Sequence, residues 1–266
     1  MTGQLHGRVA LVTGAGAGIG AGIARRYVDE GAQVVVTDID DEQGAAVAES
    51  IGGTYLRCDV SRRNDVEAAV EATVATYGAI DVLVNNAWGG GGIGRVEEKT
   101  GEALNAGMAV GYLGPFFAMK AAHAHMKERG WGRIINMVSL NGVNAHVGSL
   151  EYNAAKEALR ALTRTAAREW APTGITVNAI APAAKSQAFL RAIGEYPELV
   201  ALADAANPMG RMGDPYDDIG PVAVFLASDG SRYVTGNTLF VDGGSHINGV
   251  AWAPDLDADP HPQRRR

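Results

Sequence analysis

Three residues in the second half of the chain have the types and spacing for proton transfer at a carbon–oxygen bond. Tyr152 and Lys156 are four residues apart in a strongly helical stretch, so their side chains share one helix face. Ser139 lies 13 residues before Tyr152, at the carboxyl end of a predicted strand, Gly132–Val138. The end of this strand and the first turn of the next helix are expected to bring the three side chains together. A Tyr and a Lys at this spacing also occur by chance in many helices, so the assignment depends on a nearby cofactor site.

The chemistry predicted for these residues is acid–base catalysis beside a hydride transfer. Hydride transfer to or from a carbonyl carbon must be matched by proton movement at the oxygen. The reference pKa of tyrosine, about 10, is too high for an efficient base at neutral pH. A positive charge about 4 Å away contributes about 4 kcal/mol at an effective dielectric constant of about 20, or at most roughly 3 pKa units. We therefore expect Lys156 to lower the pKa of Tyr152 towards neutrality, and Ser139 to hold the substrate oxygen beside the Tyr152 hydroxyl.

A glycine-rich turn after the first predicted strand, Arg8–Thr13, indicates a site for a pyrophosphate. Residues Thr13–Gly20 read TGAGAGIG and precede a helical pattern. Glycines permit a tight turn and a close backbone approach, so a pyrophosphate can sit on the helix N-terminus. The predicted cofactor-binding residues of this turn are Gly14, Gly16, Gly18, Ile19 and Gly20.

Asp38 is the residue from which we predict the cofactor. It ends the predicted strand Gln33–Asp38, 18 residues after Gly20, and so completes a strand–turn–helix–strand unit. Its carboxylate can accept hydrogen bonds from both adenosine ribose hydroxyls, and its charge would repel a 2′-phosphate. No Arg or Lys lies in the glycine turn or immediately after Asp38. Both observations favour NAD over NADP; the alternative is that Asp38 only initiates the following helix.

Other predicted cofactor contacts follow the third and fourth strands, at the sheet edge where open α/β folds bind ligands. Asp59, followed by Val60, can accept the adenine amino group; its alternative role is an N-cap, which Ser61 fills better. Asn86 and Ala87 end the fourth strand at the same edge.

The elements that must position these residues alternate along the chain. Short β-branched runs and longer amphipathic segments predict right-handed βαβ crossovers and an α/β fold, with a parallel sheet covered by helices on both faces in three αβα layers. The other predicted strands are Thr54–Cys58, Asp81–Asn85, Ile175–Ile180 and Thr238–Val241, and the predicted helices are Ile19–Glu30, Asp41–Ser50, Arg62–Tyr77, Thr100–Arg129, Leu150–Ala171 and Pro215–Ser228.

The domain organisation is predicted to be simple. Residues 5–245 contain no linker, charge block or composition shift, so we expect a single domain over residues 1–250. Residues 183–208 are too long for an ordinary loop and carry spaced apolar side chains, which is typical of a substrate lid. Residues 251–266 have little to bury, and we expect a tail that is mobile or docked on a neighbouring subunit.

Composition excludes several classes of protein. The 266 residues include 35 glycines without a three-residue period, which excludes collagen, and the 47 % hydrophobic content excludes low-complexity disorder. A net charge of −7 argues against nucleic-acid and anionic membrane surfaces. The single cysteine suits a reducing compartment, and no apolar run reaches the ~20 residues that span a bilayer. No Cys pair or His-Glu-x-x-His motif indicates a metal, and no Gly-x-Ser-x-Gly motif indicates a hydrolase. We expect a soluble, cytoplasmic protein with a small-molecule substrate.

Taken together, these residues resemble the short-chain dehydrogenase/reductase family, in its short single-domain branch. The matching motifs run from about Leu5 to Ser245 and are Thr13–Gly20, Asp59, Asn85–Ala87, Ser139, Tyr152–Lys156, Val177–Pro182 and Val241–Gly244. The resemblance implies a Rossmann-type, doubly wound sheet that binds NAD(P). It also implies Ser139 orienting substrate, Tyr152 as acid or base and as a cofactor contact, and Lys156 also binding the nicotinamide ribose. A cofactor contact at Pro182 and a homotetramer follow from the same resemblance.

Three departures from the family pattern lie around the expected site. Gly111 stands where the family has an Asn that helps to relay protons to the Lys. Trp88 replaces the Gly that normally follows Asn-Asn-Ala, and the run Gly89–Gly92 comes after it. Ala183 replaces the Gly of the usual Pro-Gly, and Gln187 replaces a Thr that often contacts the carboxamide. We therefore expect a remodelled pocket and an altered proton relay.

The functional hypothesis is an NAD-dependent oxidoreductase acting on a secondary alcohol or its ketone. Apolar residues in the expected lid favour a hydrophobic or cyclic substrate. Predicted substrate contacts are His146, Asn141 and Trp88, although His146 is equally explained as an exposed loop residue. Two alternatives stay open: a 3-oxoacyl-thioester reductase of the same family, and a non-catalytic NAD-binding regulator.

Overall fold

The computed structural model describes residues 3–89, 91–186, 189–190 and 194–247. They contain the strands β1 (Val9–Thr13), β2 (Gln33–Asp38), β3 (Thr54–Arg57), β4 (Val82–Asn85), β5 (Gly132–Met137), β6 (Ile175–Pro182) and β7 (Thr238–Val241). The helices are α1 (Gly18–Asp29), α2 (Asp41–Ile51), α3 (Arg63–Tyr77), α4 (Gly101–Met108), α5 (Gly114–Arg129), α6 (Leu140–Val143), α7 (Leu150–Trp170), α8 (Pro197–Ala205) and α9 (Gly220–Ala227). The predicted alternation of strands and helices is confirmed, and most bounds move by one or two residues. The helix predicted from Pro215 begins as α9 only at Gly220, since Pro215–Ile219 form a π-helical turn.

The strands form one parallel sheet in the order β3-β2-β1-β4-β5-β6-β7. The chain winds outwards from β1 to β3, then returns across the sheet and continues from β4 to β7. The strand order therefore reverses between β1 and β4, and the crevice at their carboxyl ends is where such sheets bind ligands. This is the predicted Rossmann-type, doubly wound α/β fold.

Two apolar layers cover the sheet because successive strand side chains point to opposite faces. In β1, Ala10 and Val12 pack in one cluster with side chains of α1, α2 and α9. Leu11 points the other way and packs with side chains of α3, α5 and α7. Burial on both faces explains why these strands read as nearly continuous apolar runs.

The predicted helical segment Thr100–Arg129 is interrupted in the structure. It divides into α4 and α5, joined by a π-helical turn at Ala109–Leu113. Pro115 has no backbone N–H to continue the α-helical hydrogen bonds, and a Cβ at Gly114 would lie 2.3 Å from the Val60 carbonyl oxygen. The turn brings Gly111 against the candidate site, and such turns often occur at functional sites.

Buried amides join β4 to β5 beneath the candidate site. Asn85 and Asn136 are Cα partners in the sheet and are 4 % and 0 % exposed. The Asn85 Nδ2 donates to Asn136 Oδ1 at 2.8 Å, and Asn136 Nδ2 donates to Thr163 Oγ1 of α7 at 2.9 Å. This chain of hydrogen bonds connects both strands to the helix that carries Tyr152.

Trp131 lies at the opposite, amino-terminal edge of the sheet, between two guanidinium groups. The Cζ atoms of Arg8 and Arg133 are 3.6 Å and 4.2 Å from the Trp131 ring centroid. The indole N–H donates to Asp229 Oδ1 at 3.0 Å. This cluster is remote from the carboxyl edge and therefore offers a test of stability separate from activity.

Three predicted regions lie wholly or partly outside the described residues. Gln187 and the tail 251–266 belong to them, as does Gly90 of the Gly89–Gly92 run. The described part of residues 183–208 contains α8. Across the described ranges, every helix is too short or too polar to cross a membrane, and no three His, Cys, Asp or Glu side chains cluster as metal ligands.

Candidate active site

The glycine turn between β1 and α1 presents backbone N–H groups rather than side chains. Gly14 has a φ of +61°, and a Cβ there would lie 2.7 Å from Ala87 Cα. Gly18, Ile19 and Gly20 form the first turn of α1, whose N-cap, Ala17, has no side-chain cap. The first turn also carries no acidic residue. Unpaired N–H groups at a helix N-terminus bind anions, so this backbone fits a pyrophosphate.

Asp38 is fixed beside the glycine turn. Its Oδ2 accepts the Gly16 N–H at 2.9 Å, and its Oδ1 accepts the Asp40 N–H at 3.1 Å. The alternative role of initiating α2 belongs instead to Asp40, which is the N-cap and accepts the Gln43 N–H. The carboxylate of Asp38 is half-buried at the end of β2, where an adenosine ribose would lie beside a pyrophosphate on α1.

Arg57 lies opposite Asp38 in the sheet, but its guanidinium forms an ion pair with Asp41. It is the Cα partner of Asp38 across β2 and β3. Its Nη1 donates to Asp41 Oδ2 at 2.8 Å and to the Ile39 carbonyl oxygen at 2.7 Å. The guanidinium therefore forms an exposed ion pair with Asp41.

Asp59 and Asn86 support the loops around the crevice. Asp59 Oδ1 accepts the Ser61 hydroxyl at 2.7 Å and the Ser61 N–H at 3.0 Å, and the hydroxyl hydrogen bond is the main cause that lowers the pKa of Asp59. The expectation that Ser61 is the N-cap of the next helix is wrong, because α3 begins one residue later and its N-cap is Arg62. Asn86 Nδ2 donates to the carbonyl oxygens of Thr13 and Gly14, both at 2.9 Å. Its amide nitrogen therefore holds the glycine turn in place.

Ala87, Val60 and Pro182 line the same edge of the sheet. The Ala87 N–H donates to Thr13 Oγ1 at 3.1 Å, which fixes the chain after β4 against the end of β1. Val60 is buried beneath α5, and Pro182 is the last residue of β6. Their predicted cofactor contacts remain predictions.

Ser139, Tyr152 and Lys156 come together at the end of β5 and the start of α7. The Ser139 hydroxyl hydrogen-bonds the Tyr152 side chain. The Ser139 Oγ also accepts the Asn141 N–H at 3.1 Å. Lys156 Nζ donates to the Met137 carbonyl oxygen at 2.7 Å, which joins α7 to the end of β5. The sequence missed Met137, because a backbone acceptor leaves no signal in residue type.

The acid–base properties differ from the expectation that Lys156 brings the pKa of Tyr152 towards neutrality. Burial raises the pKa of Tyr152, although the Ser139 hydrogen bond opposes this effect. The Lys156 ammonium lies 5.6 Å from the Tyr152 ring centroid and donates a hydrogen bond to the Met137 carbonyl oxygen rather than to the phenol. Burial also lowers the pKa of Lys156 to about 8, so Lys156 loses its positive charge at a lower pH than an exposed lysine does.

Trp88 occupies the space next to Gly111. Its ring packs edge-on against Tyr152 with centroids 4.7 Å apart, and its centroid lies 5.5 Å from Lys156 Nζ. A Cβ at Gly111 would lie 2.7 Å from Trp88 Cζ3 and 2.8 Å from Ala155 Cβ. Trp88 and Gly111, which both depart from the family pattern, are therefore linked in the structure. The Trp88 indole fills the space that a side chain at position 111 would need.

The other two predicted substrate contacts lie on the segment between β5 and α7. The side chain of His146 is exposed, and its Nδ1 is 2.9 Å from Ser149 Oγ. The half-buried Asn141 follows the N-cap Ser139 in α6. The hydrogen bond of His146 to its own loop agrees with the alternative of a structural loop histidine.

Comparison with known proteins identifies relatives over nearly the whole chain. Residues 14–246 match the family described as enoyl-(acyl carrier protein) reductase. The chain is 41 % identical to momilactone A synthase of Oryza sativa subsp. japonica over 251 residues, 92 % of each protein. It is 39 % identical to L-fucose dehydrogenase of Oryctolagus cuniculus over 246 residues, 91 % of this chain and 86 % of that protein. The crystal structure of a gluconate 5-dehydrogenase from Burkholderia cenocepacia J2315 in complex with NADP and tartrate superposes with a TM-score of 0.85 and 35 % identity, covering 92 % of this chain and 97 % of that one.

Proposed function

The chain belongs to the short-chain dehydrogenase/reductase family of oxidoreductases, and from that premise we propose that it is an NAD-dependent dehydrogenase of secondary alcohols or their ketones. The observation that carries the proposal is the grouping of Ser139, Tyr152 and Lys156 around the carboxyl end of β5, at the sheet edge that also carries an uncapped, glycine-rich helix N-terminus. A nicotinamide cofactor bound along this edge would bring a hydride carrier next to a proton carrier, as alcohol oxidation requires.

The roles of the three side chains follow from their hydrogen bonds. Ser139 Oγ accepts the Asn141 N–H, so its hydroxyl proton can be donated to the substrate oxygen. Tyr152, hydrogen-bonded to Ser139, takes the alcohol proton during oxidation and returns it to the carbonyl oxygen during reduction. Lys156, anchored on the Met137 carbonyl, keeps its ammonium 5.6 Å from the Tyr152 ring centroid and joins the first half of α7 to the end of β5. The bound nicotinamide supplies the hydride acceptor or donor.

Support for NAD comes from the charges at the end of β2. The Asp38 carboxylate is fixed beside the Gly16 N–H, where it is placed to accept ribose hydroxyls and to repel a 2′-phosphate. Arg57, which could neutralise such a phosphate, is bonded to Asp41.

Support for a hydrophobic or cyclic substrate comes from the region between β6 and α9. Tyr196, Leu199 and Leu202 are 52 %, 40 % and 66 % exposed, so apolar side chains in α8 and just before it face solvent. The homotetramer implied by the resemblance is part of the same proposal, and exposed apolar side chains at Leu113 and Phe116 are consistent with association. Light scattering after size-exclusion chromatography measures the mass.

The experiment that tests the activity is a panel of secondary alcohols with NAD⁺, followed by NADH absorbance. The panel should include cyclic alcohols, sugars, hydroxysteroids and, in reverse, a 3-oxoacyl thioester. Tyr152→Phe keeps the ring beside Trp88 but removes the hydroxyl, and it should lower kcat by about 10²- to 10⁴-fold. NADH binding, followed by fluorescence, should be unchanged.

Two outcomes would overturn this function. Full turnover in Tyr152→Phe would remove the proposed proton carrier. Tight NADH binding without turnover of any compound would favour a non-catalytic, NAD-binding regulator.

A further inference from the structure

A buried ion pair joins the residue before Tyr152 to the segment that follows Trp88. Lys99 Nζ lies 2.9 Å from both carboxylate oxygens of Glu151. The two side chains are only 7 % and 1 % exposed. The hydrogen bond from Lys99 is the main cause that lowers the pKa of Glu151, so this carboxylate is ionised at neutral pH.

The backbone of Gly92 completes this contact. Its N–H donates to Glu151 Oε1 at 2.9 Å, and its carbonyl oxygen accepts a hydrogen bond from the Lys99 ammonium. Nearby, the Gly94 N–H donates to the Gly148 carbonyl oxygen at 3.0 Å. The segment after Trp88 is therefore attached to the start of α7 and to the residues just before it.

Stability alone is a weak reason for such a pair. Removing two charges from water offsets most of their attraction, and apolar replacements of similar volume are often as stable. The position of the pair is more informative. Glu151 is in the first turn of α7 and directly precedes Tyr152. The tethered segment begins at Trp88, whose ring packs on Tyr152 and lies near Lys156.

We propose that Lys99 and Glu151 are a positioning pair for the reaction, which hold the first turn of α7 against the Trp88 segment so that the Tyr152 hydroxyl stays at Ser139. This inference rests on the proposed function. Both residues act through Tyr152 and are assigned no contact with substrate or cofactor. No sequence motif indicates this contact, because Lys99 and Glu151 are 52 residues apart in the chain.

The test separates positioning from stability with three variants of the full chain. Glu151→Gln leaves the Lys99 ammonium without its counter-charge, and Lys99→Met leaves the Glu151 carboxylate without one. Both Tm and kcat should therefore fall in each variant. The double variant Lys99→Met/Glu151→Leu removes both charges and should regain Tm. We expect its kcat to stay about 10- to 100-fold below that of the parent, as for a small misplacement of a reacting group, with the KM for NAD⁺ unchanged. Glu67→Gln breaks the exposed Arg63–Glu67 pair and serves as the matched control, with parental kcat and Tm.

Recovery of kcat together with Tm in the double variant would overturn the proposal, because the pair would then act on stability alone. A second readout does not need turnover. The Tyr152 phenol pKa is measured as the phenolate absorbance of each protein minus that of its Tyr152→Phe counterpart. Loosening the first turn of α7 should reduce burial and lower this pKa in the double variant; an unchanged pKa would also overturn the inference. If the parent protein oxidises no alcohol in the panel, the proposed function fails, and the phenol titration alone decides the role of the pair.

Discussion

The variant Gly111→Asn tests whether Trp88 and Gly111 act as one structural unit. Carbon atoms in contact are usually about 3.5–4.0 Å apart, and a Cβ at position 111 would be 2.7 Å from the indole. Ala155 Cβ, at 2.8 Å, limits movement in another direction. Overpacking of this kind costs about 1–3 kcal/mol, so Tm should fall by about 2–12 °C for a domain of this size.

The effect on activity follows from what the indole contacts. Relief of the clash moves Trp88, which packs on Tyr152 and lies near Lys156. A displacement of about 1 Å at a reacting group can lower the rate about 10²-fold, and we expect kcat/KM to fall by that order. The double variant Trp88→Gly/Gly111→Asn removes the clash with the indole but keeps the contact with Ala155 Cβ, so it should regain part of the loss, at least about tenfold in kcat/KM over the single variant, or about 1.4 kcal/mol.

The assay is a double-mutant cycle in thermal unfolding and in kcat/KM. Gly101→Asn is the matched control, because a Cβ there meets nothing within 4 Å. Independent sites add within about 0.5 kcal/mol, whereas residues in contact show coupling of about 0.5–3 kcal/mol. Additive effects of Trp88→Gly and Gly111→Asn, or a single Gly111→Asn variant with parental Tm and turnover, would refute the reasoning.

Three further predictions concern the cofactor, the buried ammonium and the remote sheet edge. Asp38→Ser removes the charge that repels a 2′-phosphate and should lower the ratio of kcat/KM for NAD⁺ to that for NADP⁺ by about tenfold or more, or about 1.4 kcal/mol; an unchanged ratio contradicts the assignment. In the cofactor-free protein the pKa of Lys156 is about 8, below its ordinary value of 10.5. Between these pH values the unfolded chain binds the proton that the folded protein has lost, so the free energy of unfolding of the parent relative to Lys156→Met should rise with pH by up to about 1.4 kcal/mol per pH unit. Urea unfolding from pH 7 to 10 measures this, and parallel curves would show that the ammonium is not destabilised. Trp131→Leu removes two cation–π contacts with Arg8 and Arg133 and should lower the free energy of unfolding by about 1–2 kcal/mol without changing kcat; a loss of kcat at constant stability would be inconsistent with a structural role.

The sequence predicts elements whose signal is local or periodic. The parallel sheet follows from alternating apolar runs, and the glycine turn follows from residues that tolerate a backbone with little steric bulk. The grouping of Ser139, Tyr152 and Lys156 is also predictable, because a strand end and a helix start are adjacent in a βα unit. These features depend on short stretches of chain and on a small set of allowed topologies.

Contacts between distant segments are the features that sequence reasoning does not supply. Trp88 and Gly111 are recognisable as two separate departures, but their packing depends on the π-helical turn between α4 and α5. The Lys99–Glu151 pair joins segments 52 residues apart and has no spacing rule. The predicted fall in the pKa of Tyr152 is wrong, because burial raises the pKa of the phenol. Burial also lowers the pKa of Lys156, and neither effect has a signal in the spacing of the two residues.

The buried amides of β4 and β5 have a consequence for strand alignment. Val82–Val84 are apolar and buried on both faces of the sheet, so this stretch of β4 would tolerate a shift of one residue along β5 without exposing a polar side chain. Such a shift moves a strand by about 3.3 Å and turns each side chain to the opposite face. It would separate Asn85 from Asn136 and leave Asn85 Nδ2 and Asn136 Oδ1 without their shared hydrogen bond, at about 1–3 kcal/mol for each unpaired group, although Asn136 Nδ2 would keep its bond to Thr163. Since Ala87 follows β4 and Ser139 follows β5, this polar pair selects the alignment that sets the two segments level with each other at the carboxyl edge of the sheet.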